Sequence, residues 1–89
     1  MTEALVVHLR LFATAREAAG LAADTFDPGA APTVGAVLAS ATARYGPAFE
    51  AVLATARIWL NGDEPPEGPE TPVRPGDEVA ILPPVSGGC

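Results

Sequence analysis

The residues of this chain best suited to chemistry are Pro83-Pro84-Val85-Ser86-Gly87-Gly88-Cys89. Two prolines hold the start of the segment extended and keep it out of sheet and helix. Two glycines then remove every side chain, so a narrow channel in a partner can close around the backbone and reach a C-terminal carbonyl without obstruction. A segment of this composition is suited to being threaded. The obstacle is Cys89, which places one more residue after the diglycine.

The remaining polar residues offer less. His8 is the single histidine, with no second ligand or nucleophile near it in sequence, so a partly exposed sheet position is expected rather than a metal or catalytic role. Asp63, Glu64, Glu67 and Glu70 are interleaved with prolines, on a segment that cannot hold carboxylates rigidly against one substrate. One cysteine makes neither an internal disulfide nor a zinc site by itself. No phosphate-binding glycine loop precedes a helix. None of these residues points to a catalytic or metal-binding site. Phe12 and Trp59 are candidates for a partner-docking sheet face, because aromatic residues anchor interfaces; a core or half-buried strand position is the commoner role of such residues in a small domain. Arg10 and Arg74 are expected as solvated surface cations.

These residues must be positioned by a small scaffold. Leu5 to Phe12 alternates, with Leu5, Val7, Leu9 and Leu11 on one face, and reads as a first strand. Thr14 can cap a short helix, Ala15 to Ala19, that Gly20 stops. Ala23 to Asp27 is a second strand, hairpin partner of the first, ended by Pro28-Gly29. Thr33 opens the main helix, with Val34, Val37, Leu38, Ala41 and Tyr45 as its apolar stripe, and Gly46-Pro47 ends it. Pro47 to Ala54 is a second helical piece offering Phe49, Val52 and Leu53. Arg57 to Leu60 is a strand followed by the turn Asn61-Gly62. The run from Asp63 to Pro72 reads as a solvated loop, Arg74 to Asp77 as a tight turn, and Glu78 to Leu82 as a last strand of undetermined parity. Two separated strand pairs around one main helix imply an α+β sheet with that helix across one face. If the last strand runs beside the first, it lies at the sheet centre and holds the base of the tail.

Composition bounds the function. A chain of 89 residues makes one domain, which we assign to residues 1–82, with 83–89 as an extended tail. The hydrophobic fraction of 48% argues for a folded chain, although alanine inflates it and aromatics contribute only 6%. A net charge of −6, with arginine as the only strong cation, disfavours nucleic acid and suits either solubility or a partner with basic patches. No apolar run approaches the ~20 residues that span a bilayer, and no basic segment followed by an apolar one opens the chain. A cytoplasmic location away from membranes is expected.

The block Leu9 to Gly20, followed far downstream by Asn61-Gly62 and then by Pro75-Gly76-Asp77-Glu78-Val79-Ala80-Ile81-Leu82-Pro83-Pro84-Val85-Ser86-Gly87-Gly88, resembles the ubiquitin-like sulfur carrier family. The closest resemblance is to the small subunit of molybdopterin synthase, with thiamine-type and cysteine-forming carriers as near relatives. It covers almost the whole chain and implies a β-grasp fold. It also implies a mechanism in which an ATP-dependent activating enzyme adenylates the carboxylate of the second glycine, a sulfur donor displaces AMP, and the resulting thiocarboxylate yields sulfide to a client synthase. By that resemblance Gly88 is the attachment point, Gly87 gives clearance, Pro83, Pro84, Val85 and Ser86 form the threaded arm, and the chain itself is a non-enzyme with no catalytic residue, no metal and no bound cofactor.

Cys89 departs from the family's ending, because an amide at Gly88 can be neither adenylated nor thiocarboxylated. Three readings stand: a precursor residue trimmed by a zinc-dependent metalloprotease, a mimic of the cysteine adduct formed in the cysteine-forming branch, or an added residue bearing an inconsequential exposed thiol. The pathway is likewise open among molybdopterin, thiamine, cysteine and secondary-metabolite synthesis. A ubiquitin-like protein modifier is the competing class, sharing the same activation step.

Overall fold

The structure, a computed structural model, describes residues 6–27 and 32–84. The elements run β1 (Val7–Leu11), α1 (Ala13–Ala19), β2 (Ala23–Phe26), α2 (Val34–Tyr45), α3 (Pro47–Leu53), β3 (Arg57–Leu60), a single 3-10 turn (Gly68–Glu70) and β4 (Glu78–Leu82). The four strands form one mixed sheet in the order β2-β1-β4-β3. β1 pairs antiparallel with β2 and parallel with β4, and β3 closes antiparallel on β4. The last strand is therefore central, with a ladder on each side.

Alternation decides which face is buried. Val7, Leu9 and Leu11 point into the core while His8 and Arg10 point out. Pairing Leu9 with Val79 and Leu11 with Ile81 puts Val79 and Ile81 inward and settles the parity of β4. These side chains pack with Ala15 of α1, Val34, Val37 and Ala41 of α2, Phe49 of α3, Phe26 and Val73 in one cluster. Burial of that apolar surface is the main stabilising contribution.

Three helices, rather than a single main one, cover the inner face. α1 and α2 both pack against α3. α2 has the expected N-cap: the Thr33 hydroxyl oxygen accepts the Ala36 amide at 3.0 Å, which satisfies one of the orphan donors of the first turn. α1 starts two residues before its expected position and is not capped by Thr14. Instead the Phe12 carbonyl accepts the amides of Ala15 at 3.0 Å and Arg16 at 3.4 Å, with Ala13 at φ 51° making the sharp entry. Gly20 ends the helix as expected, at φ 84° in the left-handed region that glycine enters without a Cβ penalty.

The stretch from Asp63 to Pro72 is only half a solvated loop. Its second part is docked on the start of α2. Thr71 is 5% exposed, its carbonyl accepts the Val34 amide at 2.9 Å, and its hydroxyl oxygen accepts the Glu67 amide. Val73 enters the core, and its amide donates to the Pro32 carbonyl. Gly35 lies against Pro69, where an added Cβ would sit 3.0 Å from the Pro69 carbonyl oxygen. The prolines thus shape a strap that closes the N-terminal end of α2.

Candidate functional site

The candidate site is the far end of β4 and the sheet surface beside it. The strand is fastened along its length. The His8 amide donates to the Asp77 carbonyl at 2.8 Å at its start, and the Phe12 amide donates to the Ile81 carbonyl at 3.3 Å near its end. On the other side Asn61, at φ 53°, donates its backbone amide to the Glu78 carbonyl. Its side-chain oxygen accepts the Glu78 amide at 2.9 Å, and its side-chain nitrogen donates to Asp77 Oδ1 at 3.1 Å. Asn61 therefore locks the register of β3 on β4 from outside the ladder. After Leu82 the chain leaves regular structure, with Pro83 half-buried and Pro84 exposed. The other threaded-arm and attachment residues assigned above, Val85, Ser86, Gly87 and Gly88, together with Cys89, lie outside the described residues.

The outer sheet face carries what the inner face cannot use. Arg10 and Trp59 both lie opposite Ala80 in register, and Arg57 lies opposite Leu82. Phe12, Trp59, Gly62, Ala80 and Leu82 line a shallow apolar depression bounded by Glu78. Phe12 is 39% exposed, and it is the one large apolar side chain so exposed among the described residues. Arg10 is tied to this rim rather than left in solvent. Its guanidinium meets Glu78 Oε2 at 3.2 Å and lies 5.8 Å from the centre of the Phe12 ring.

The structure thus brings the two aromatic candidates, Phe12 and Trp59, together on one face beside the end of β4. Ala80 and Leu82 were missed in the sequence, because the parity that exposes them follows from pairing with β1. Asn61 was read as a turn residue only. Its partner Asp77 lies in the second turn, and no local pattern links the two. His8 is exposed on the strand. Among the described residues no group of His, Cys, Asp and Glu is arranged to hold a metal, and no helix is long and apolar enough to cross a membrane.

A second polar cluster lies at the opposite edge of the sheet. Asp24 accepts the Tyr45 hydroxyl at 2.6 Å, the Arg44 guanidinium at 2.9 Å and the Thr25 amide at 2.8 Å. Arg44 also donates to the Thr25 carbonyl and stacks 4.0 Å from the Phe26 ring centre. Side chains thereby occupy the outward polar groups of Thr25, which leaves this edge strand little to offer another strand.

A central last strand beside the first, helices on one face and an apolar outer face at the end of that strand make up the ubiquitin-like β-grasp class of fold. The chain belongs to the ThiS family, whose model matches residues 9–88. It is 38% identical over 82 residues to a molybdopterin synthase sulfur carrier subunit of Chlamydomonas reinhardtii, covering 92% of this chain and 98% of that protein. The small archaeal modifier protein 1 of Haloferax volcanii superposes with a TM-score of 0.83 at 28% identity, covering 93% of this chain and 99% of that one. The corresponding protein of Methanosarcina acetivorans superposes at 0.81 with 34% identity, over 98% and 100%. The chain is accordingly a non-catalytic protein of the sulfur-carrier and ubiquitin-like type.

Proposed function

We propose that the chain is a sulfur carrier that is adenylated and then thiocarboxylated at Gly88 after removal of Cys89, and that it gives sulfide to a synthase of molybdenum cofactor synthesis. The observation that carries this reading is the extent of the family match, which runs through the diglycine to Gly88 and leaves Cys89 beyond it. Similarity to a molybdopterin synthase sulfur carrier subunit supports the pathway.

A carboxylate resists nucleophiles until its oxygen becomes part of a good leaving group. In the proposed sequence the Gly88 carboxylate oxygen attacks the α-phosphorus of ATP on an activating enzyme, with release of pyrophosphate. A sulfur donor then attacks the carbonyl carbon and AMP departs. No side chain of this chain takes part in either step. Residues 1–82 act as the folded domain and 83–89 as the tail; the domain holds the tail root still through the two ladders of β4. The Phe12–Trp59 depression contacts the partner that receives the tail, and such contact supplies positioning that is otherwise an entropic cost. The partners are the activating enzyme, a larger synthase subunit and a metalloprotease that trims Cys89.

A second reading is favoured by the superposition on two archaeal modifier proteins. There the same activated Gly88 is joined to amines of target proteins. Intact-mass analysis of the chain recovered from its own cells separates the two. A terminus at Gly88 with one oxygen exchanged for sulfur supports the carrier, isopeptide-linked conjugates support the modifier, and a chain that retains Cys89 without either product excludes both.

A further inference from the structure

Activation of Gly88 as proposed above, on which this rests, opens its carbonyl carbon to any nearby amine or thiol. All five cationic side chains are arginine, at positions 10, 16, 44, 57 and 74, and the single thiol is that of Cys89. Lysine is among the commonest residues of soluble proteins, and its amine is the usual acceptor of acyl tags. Arg10 and Arg44 have evident uses for a guanidinium. Arg44 divides its donors between Asp24 Oδ2 and the Thr25 carbonyl while stacking on Phe26, and Arg10 pairs with Glu78 beside Phe12. Arg16, Arg57 and Arg74 are different. All three are exposed and, among the described residues, make no side-chain hydrogen bond, ion pair or ring contact. A lysine would serve equally well there as a solvated cation, so local geometry does not account for the choice.

We propose that the chain is a donor-only acyl carrier: once it ends at Gly88 its side chains present no amine and no thiol, so the activated terminus of one copy is not captured by a side chain of another. The reaction avoided is simple to write. An ε-amine nitrogen bonds to the Gly88 carbonyl carbon, the leaving group departs with the electron pair of its bond to that carbon, the amine proton passes to water, and an isopeptide remains. A guanidinium stays protonated above pH 12 and cannot begin that attack. The side-chain nucleophiles left are hydroxyls and the exposed His8, whose acyl adduct hydrolyses. The Tyr45 hydroxyl is already donated to Asp24. Under the modifier reading the same composition bars chains of copies linked through side chains, since an attached copy offers no side-chain amine for the next.

The test uses a chain ending at Gly88 as its α-thioester, prepared by intein cleavage with mercaptoethanesulfonate, with its N-terminal amine acetylated. No pathway enzyme is involved, so the result is independent of whether a thiocarboxylate forms in the cell. The thioester is held at mildly alkaline pH, at a concentration where free N-acetyl-lysine becomes acylated. The expected result is hydrolysis alone for the native sequence. The variant R16K/R57K/R74K, with its fold checked by circular dichroism, should accumulate covalent dimer whose isopeptides map to the new lysines. Side-chain-linked dimer from the native sequence would overturn the proposal. So would a triple variant that hydrolyses as cleanly as the native chain while free N-acetyl-lysine reacts.

Discussion

The Asp24 carboxylate and the Tyr45 hydroxyl meet at 2.6 Å, joining the edge strand β2 to the last turn of α2. The hydroxyl is the first cause of a carboxyl pKa below its ordinary 3.8; the Thr25 amide and Arg44 act in the same direction and partial burial opposes them. A group whose pKa is lower in the folded state adds stability above its unfolded value and loses it as pH falls through the folded value. The Tyr45 hydroxyl is shifted upward, by burial first and by Asp24 second.

Replacing Tyr45 by Phe should therefore cost about 1.5 kcal/mol near neutral pH, the lower end of the range for a hydrogen bond to a charged group, because the pair is only partly buried. The acid side of the stability profile, below the ordinary value of 3.8, should become shallower. Asp24→Asn should flatten it further. Urea midpoints measured from pH 7 down to pH 2.5 check this, and an unchanged acid slope in both variants would refute the coupling.

Gly35→Ala puts two opposed effects in one position. Alanine favours a helix over glycine by at most about 1 kcal/mol, less at this second residue of α2 than in its interior. The new methyl would meet the Pro69 carbonyl oxygen at 3.0 Å and Pro69 Cβ at 3.2 Å, and overpacking of this kind costs about 1–3 kcal/mol. The net expectation is a loss of about 1 kcal/mol. Hydrogen exchange at the Val34 and Val73 amides, whose bonds tie the strap to α2, should quicken more than exchange in β4. A stabilised variant would show that the strap moves aside freely.

Ala13 and Asn61 both have positive φ, at 51° and 53°, yet they should respond oppositely to glycine. Ala13→Gly relieves a left-handed backbone that costs alanine roughly 1 kcal/mol, partly offset by the greater freedom of glycine in the unfolded chain. It should be neutral or slightly stabilising. Asn61→Gly gives the same relief but removes the bonds to Asp77 and Glu78, so a loss of about 1–2 kcal/mol is expected. Thermal melts of the two variants, compared side by side, decide the matter.

Phe12→Asp should separate docking from folding. The side chain is exposed, and the α1 cap is made by the Phe12 backbone carbonyl. The midpoint of unfolding should move little, while affinity for the activating enzyme falls by about 2 kcal/mol, the scale of an interface anchor. Calorimetric titration measures it. Unchanged affinity would remove the depression from the proposed contact.

Much of the fold was legible because its signals are local. The alternation of Val7, Leu9 and Leu11, the Thr33 cap, and the Gly46-Pro47 break each lie within a few residues. The strap was not. Its composition reads as solvated, and the burial of Thr71 and Val73 depends on Pro32 and Val34, some forty residues earlier in sequence. The candidate surface was half legible. Phe12 and Trp59 are conspicuous as aromatics, but Ala80 and Leu82 are ordinary residues until Leu9 opposite Val79 fixes which way they face.

The central position of β4 also determines how the domain bears a load. A partner that grips the tail while seated on the sheet pulls along the strand axis. The parallel ladder to β1 and the antiparallel ladder to β3 are then strained together in shear. Hydrogen bonds loaded in this way must fail collectively, whereas those of an edge strand peeled outward fail one at a time. A load applied at the end of β4 would therefore meet both ladders at once, and the sheet would resist unravelling from that end.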